Sequence, residues 1–157
     1  MTDPVSLVFY DEKYNSDLDG IHLSADHRRF TQTPAEVMGT LADKSRRLVL
    51  ILSDDKCVGY FILDEGEELA DLGFSNALLI RSLAINPFEQ SKGLAFRGMA
   101  MLPKFVKNYY SDIIKLVLIV NEKNIPAQKL YQKVGFAHHA SRNNEKHGVQ
   151  FIWYYDL

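Results

Sequence analysis

The stretch 77–121 constrains the fold of this chain more than any other. "ALLIRSLAI" is an apolar run, and "KLVLIVN" is another. The second is short and aliphatic and lacks alternation, the mark of a strand covered on both faces. Between them, from about Lys92, the apolar positions Ala95, Met99, Leu102, Val106 and Tyr109 recur at helical spacing. Strand, helix, strand in this order defaults to a right-handed parallel crossover. Pro103 interrupts the helical pattern and removes a bond to the carbonyl of Met99, so a kink or an early break is expected there.

The flanks fit a mixed α/β sheet with hairpins at both ends of the chain. "VSLVFY" at 5–10 suits a first strand. A polar, helix-prone region follows from about Ser16 to Asp43. In it "TPAE" makes Thr33 an N-cap, Pro34 the first helical residue and Glu36 the reciprocal cap. "RRLVLILS" and "CVGYFILD" around the turn-like "DDK" read as a β-hairpin, and "EGEELADLGFSN" as a polar connector. After the second strand of the crossover, Ala127, Leu130, Tyr131 and Val134 form one helical stripe that Gly135 is placed to end. The tail holds two β-rich runs around a polar turn.

The 157 residues suit one domain, long enough to bury roughly two thirds of the unfolded surface. Hydrophobic residues are 46% and charged residues 24%, and 18 basic side chains nearly balance 20 acidic ones. The net charge of -2 gives no general attraction to nucleic acid or to an anionic membrane. His27, Arg28 and Arg29 read as a solvated helix face. Cys57 lies in an apolar run and reads as a buried, inert thiol; a single cysteine fits a reducing compartment. No signal peptide is read at the N-terminus, and the aliphatic runs are far short of the ~20 residues that span a bilayer, so a cytoplasmic location is expected.

At 86–98 the chain reads "NPFEQSKGLAFRG", leaving a strand and starting a helix at once. Unpaired N–H groups at a helix N-terminus favour an anion, Gly93 lets a phosphate approach the main chain, and Lys92 can add charge at the rim. Neither a P-loop nor a dinucleotide fingerprint is present. By itself the junction reads first as an ordinary turn, for which glycine is the default residue.

Downstream, "NEKNIPAQKLYQKVGF" matches N-x-x-A-x-x-L-Y-x-x-x-G-F from Asn124. Together with "RSLAINPFEQSKGLA", where Gln90, Gly93 and Ala95 supply Q/R-x-x-G-x-G/A, the chain resembles the GCN5-related N-acetyltransferase (GNAT) family over 77–136. The resemblance implies a mostly antiparallel mixed sheet whose one parallel β-α-β crossover carries the acyl-CoA site. It implies that acetyl-CoA is the co-substrate. The pyrophosphate would rest on the backbone amides of Gln90, Ser91, Lys92, Gly93, Leu94 and Ala95. The pantetheine arm would run along Leu83, Ala84 and Ile85, with main-chain groups of Leu83 and Ile85 pairing with its amides. The Leu83 N–H would face the thioester oxygen as an oxyanion donor. Asn124 would contact the arm, or it simply caps its helix.

The implied reaction is direct attack of an amine on the thioester. Tyr131 occupies the place of the acid that returns a proton to the leaving thiolate. A thiol near ~8.5 and a phenol near ~10 differ by about 1.5 units, roughly 2 kcal/mol uphill, so Tyr131 is expected to help without being indispensable. As a residue on an apolar stripe it also reads as core. Where some relatives carry a basic Glu, this chain has Leu79, which cannot take a proton. Asp71, Glu68 and Glu122 are other carboxylates near this region, and a water-relayed base is expected. Strand period two puts Leu79, Arg81 and Leu83 on one face, taken as the acceptor side. Arg81 then either binds an anion on the acceptor or pairs internally with a carboxylate such as Asp71. His138, His139 and His147 lack metal-ligand spacing, and adjacent strand residues point to opposite faces, so no metal is expected.

Two functions stay open at this point. One is an acetyl-CoA-dependent N-acetyltransferase for a small amine, an amino acid or a peptide. The other is a catalytically weak acyl-CoA-binding sensor or structural module of the same fold. The region 16–43 is expected to cover the acceptor pocket. The tail "FIWYYDL" either closes the sheet or supplies a homodimer strand.

Overall fold

The computed structural model describes residues 4–90 and 92–157. These form a sheet of seven strands: Val5–Phe9 (β1), Arg46–Ser53 (β2), Lys56–Asp64 (β3), Ala77–Ile85 (β4), Lys115–Asn121 (β5), Ala137–Asn144 (β6) and Gly148–Asp156 (β7). The spatial order is β1-β2-β3-β4-β5-β7-β6. The β4–β5 pair is parallel, and every other neighbouring pair is antiparallel. The helices are Asn15–Asp19 (α1), Ala25–Arg28 (α2), Pro34–Thr40 (α3), Glu68–Asp71 (α4), Leu94–Tyr109 (α5) and Ile125–Val134 (α6).

Local chemistry explains most element ends. Thr33 and Glu36 complete the expected capping box, with Thr33 N–H donating to Glu36 Oε1 at 3.0 Å and Glu36 N–H to Thr33 Oγ1 at 3.3 Å. The β2–β3 turn is the pair Asp54 and Asp55 at φ 52° and 63°, and Lys56 already belongs to the strand. Two left-handed residues give the primed turn that matches strand twist, and Asp tolerates that region. The connector after β3 is not wholly irregular: it folds into α4, whose Leu69 is buried.

The sheet has two covered faces. On one, Val49, Ile51, Phe61, Leu63, Leu78, Ile80, Leu116 and Leu118 pack with Met99, Leu102, Phe105 and Val106 of α5 and with Tyr131 of α6. On the other, α1 and α3 cover Leu48, Leu50, Leu52, Tyr60 and Ile62, while Leu69 of α4 packs with Ala77, Leu79, Val117 and Ile152. β5 is therefore covered on both sides, as its unbroken aliphatic run implied.

α5 starts at Leu94 and runs through Pro103 without the expected break. Leu102, Phe105 and Val106 flank the proline in the core, and that packing offsets a cost of about 3 kcal/mol. Its buried stripe also differs at the edges. Leu94, Gly98 and Phe105 are buried, whereas Ala95 is half-buried and Tyr109 is exposed. Gly98 joins the stripe because a Cβ there would come within 3.1 Å of Ile51 Cδ1.

Candidate active site

β4 and β5 stay in register from Ala77/Lys115 to Ile80/Leu118 and then part. Beyond that point β4 stays with β3 as far as Ile85, and β5 stays with β7 as far as Asn121. A cleft of about 1130 Å³ opens between them, with walls supplied by α2, α6 and the β6–β7 turn.

A β-bulge shapes the β4 wall. Ile62 opposes Arg81 and Tyr60 opposes Ala84, so Ser82 and Leu83 together stand against Phe61. Ser82 takes φ 59°, a left-handed conformation costing about 1–2 kcal/mol in a non-glycine residue. Its hydroxyl donates to Gln32 Oε1 at 2.7 Å, and the Tyr60 hydroxyl donates to the Gln32 carbonyl at 2.6 Å. The chain between α2 and α3 is thereby pinned over this strand.

The bulge corrects the expected strand face. Leu83 packs with the α5 core, whereas Leu79 belongs to the cluster on the opposite face. One extra residue reverses the parity of everything after it, so Leu79 and Arg81 do not share a face with Leu83. Asn86 N–H donates to the Val58 carbonyl at 2.7 Å. Strand alternation then turns the main-chain groups of Ile85 and Leu83 away from β3, toward the open side.

Arg81, Leu83, Ala84, Ile85, Gln90, Ala95, Asn124 and Tyr131 all line the cleft. Lys92, Gly93 and Leu94 lie just outside its lining, and Ser91 lies outside the described residues. Gly93 precedes α5 at φ 68°, so its backbone as well as its missing side chain calls for glycine. Lys92 Nζ lies 2.5 Å from Glu89 Oε2.

Asn124 caps α6, its Oδ1 accepting from Ala127 N–H at 3.4 Å. Tyr131 is buried beside Phe136, edge to face at 5.7 Å, and burial pushes its hydroxyl above the ordinary phenol range. It is both a core residue and a cleft wall.

Arg81 has internal partners other than Asp71. Its Nε donates to Asp64 Oδ2 at 2.6 Å and its Nη2 to Glu68 Oε2. Glu68 also accepts from Arg142 Nη2 at 2.9 Å. Partial burial raises the Glu68 pKa, but the bond from Arg142 and the charge of Arg81 outweigh it and hold the carboxyl below 4.5. Glu68 therefore lines the cleft as a stable anion and a poor proton acceptor, while Asp71 and Glu122 do not line it.

Several lining residues had no signal in the sequence. His27 half-buries itself in the wall, so its stretch is not simply a solvated face. Its Nε2 lies 3.2 Å from Gln90 Nε2, tying α2 to the loop before α5, and its buried Nδ1 has no partner among the described residues. His147 lines the cleft, but His138 and His139 do not. The first packs on Phe151 and Trp153, the second on Phe74 and Tyr154.

Comparison with known proteins places this geometry. Residues 8–136 match the model of the Acetyltransferase (GNAT) family. The chain is 37% identical over 161 residues to the uncharacterized N-acetyltransferase YbbJ of Bacillus subtilis (strain 168), covering all of both chains. Its fold is similar to that of the acetyltransferase AAC(6')-Ib in complex with paromomycin and acetyl-CoA. There the TM-score is 0.77 at 18% identity, over 98% of this chain and 94% of the other. It is similar too to spermidine N-acetyltransferase from Vibrio cholerae in complex with CoA and spermine. In that case the TM-score is 0.70 at 15% identity, over 97% and 95% of the chains.

Proposed function

The chain belongs to the GNAT family of acetyltransferases, and on that premise we propose that this N-acetyltransferase binds acetyl-CoA along β4 and acetylates an amine by direct attack. The observation that carries the reading is the parting of β4 from β5 after Ile80 and Leu118, which leaves Leu83 and Ile85 without a strand partner on that side. An arm containing amides can pair there as a further strand would. The cleft's volume and the glycine-started helix α5 fit the rest of such a ligand.

Cleft position and the family resemblance support the following roles. The amides around Gly93, from Gln90 to Ala95, hold the pyrophosphate. The Leu83 N–H stabilises the charge that develops on the thioester oxygen during attack. Tyr131 stays protonated and gives the leaving thiolate a hydrogen-bond donor. Asn124 acts first as the cap that orients α6 and Tyr131. With Leu79 apolar and Glu68 held ionised by arginine, the amine loses its proton through water.

The test is release of CoA from acetyl-CoA against amines, amino acids and polyamines, with mass spectrometry of the products. An acetylated amine establishes the reading. Saturable binding of acetyl-CoA with no product from any amine would instead favour the sensor.

A further inference from the structure

Three arginines reach the acceptor side of the cleft from three different strands: Arg46 on β2, Arg81 on β4 and Arg142 on β6. They share two carboxylates. Asp64, only 4% exposed in its side chain, takes Arg81 Nε at 2.6 Å and lies 3.3 Å from Arg46 Nε. Glu68 takes Arg81 Nη2 and, at 2.9 Å, Arg142 Nη2. Asp43, the second carboxylate near Arg46, is 3.8 Å away and mostly exposed. A guanidinium has five N–H donors in a planar fork. Among the described residues, Arg81 and Arg142 use Nε and Nη2 as hydrogen-bond donors and leave Nη1 over, while Arg46 meets Asp64 as an ion pair whose buried Nε makes no hydrogen bond.

Position separates this group from the phosphate end. Arg81 opposes Ile62 and follows Ile80, so it projects from the face opposite α5, whose start carries the glycine turn. Lys146, in the β6–β7 turn, adds a further cation to the lining of the same cleft. A polyamine or an aminoglycoside entering there would meet like charge.

We propose that the acceptor amine carries an oxyanion, a carboxylate or a phosphate, received by Arg46, Arg142 and Lys146 around the Arg81 ion pair. This rests on the acetyl-transfer reading above, whose acceptor it specifies. Arginine forks pair with both anions in a bidentate way, and a neutral partner offers them neither the charge nor the second acceptor oxygen.

The experiment uses matched pairs: amino acids against their carboxamides, and phosphoethanolamine against ethanolamine, with spermidine as the polycation. Binding to the CoA-saturated protein is measured by calorimetry, and acetylation by mass spectrometry. The expected result is an anionic member bound about tenfold or more tightly than its neutral partner, with the stronger pair naming carboxylate or phosphate. Lys146→Ala and Arg142→Gln should each shrink that preference while leaving CoA affinity unchanged. Lys146 is an exposed turn residue, so its variant reports even if Arg142→Gln fails to fold. Equal binding within both pairs, tighter binding of spermidine, no binding by any member, or a preference untouched in both variants would overturn the proposal. Anion-selective binding without acetylation would uphold the arginine–lysine anion site while sinking acetyl transfer, and with it the ligand's role as acceptor.

Discussion

Tyr131 keeps its proton beyond the ordinary phenol range because its burial penalises the phenolate. Tyr131→Phe should lower kcat by about a hundredfold or less, leave the KM for acetyl-CoA unchanged, and keep the alkaline limb of the pH–rate profile where it was. A limb that moves in the variant would mean that Tyr131 titrates there. Glu68 shows the opposite shift. Its folded pKa lies below that of an ordinary glutamate, so its stabilising effect is fully present above the ordinary value and fades as pH falls through the depressed one. Wild type should exceed Glu68→Gln in urea-unfolding stability by about 1 kcal/mol at neutral pH, because the site is partly exposed. That gap should narrow as pH falls below the ordinary carboxylate range, and a constant gap would refute the assignment. Arg81 shows where residue-level reading stops. An arginine among apolar strand residues implied a partner, but Asp64 and Glu68 are 17 and 13 residues away, and nothing in the sequence selects them over Asp71.

Elements were legible where their causes are local. The Thr33–Glu36 box, the left-handed Gly135 after α6 and the aliphatic β5 each act within a few residues. Gly93 belongs to this scale as well. At φ 68° with nothing within 4 Å of a built Cβ, Gly93→Ala meets a backbone penalty rather than a clash. The expected stability loss is about 1 kcal/mol in urea unfolding. If the turn holds the coenzyme's phosphates, the KM for acetyl-CoA should also rise about tenfold with kcat little changed. A stability loss with no change in KM would leave Gly93 as a turn residue only. Pro103 and the β4 bulge were not legible. Core packing carries α5 through the proline, and Ser82 is held left-handed by contacts that include Gln32, 50 residues away.

The whole chain is nearly neutral at -2, yet its cleft gathers six cationic residues against three carboxylates. Average charge excluded a general affinity for polyanions without forbidding a local anion site. Cys57 is governed by the whole core as well. It is 4% exposed, and burial pushes its thiol up to about 12. The native protein should resist thiol reagents near pH 8, with labelling in urea following the unfolding transition. Rapid labelling of the folded protein would show that this face opens. By itself the sequence determined the order of the strands and of the longer helices, several element ends, the parallel crossover and the family motifs, because periodicity, caps and turns are set by near neighbours. Only the tertiary structure decided which face of β4 carries Arg81 and which carries Leu83, since one bulged residue inverts the alternation. It alone also decided that Arg46, Arg81 and Arg142 meet, because that meeting depends on the pairing of strands nearly a hundred residues apart.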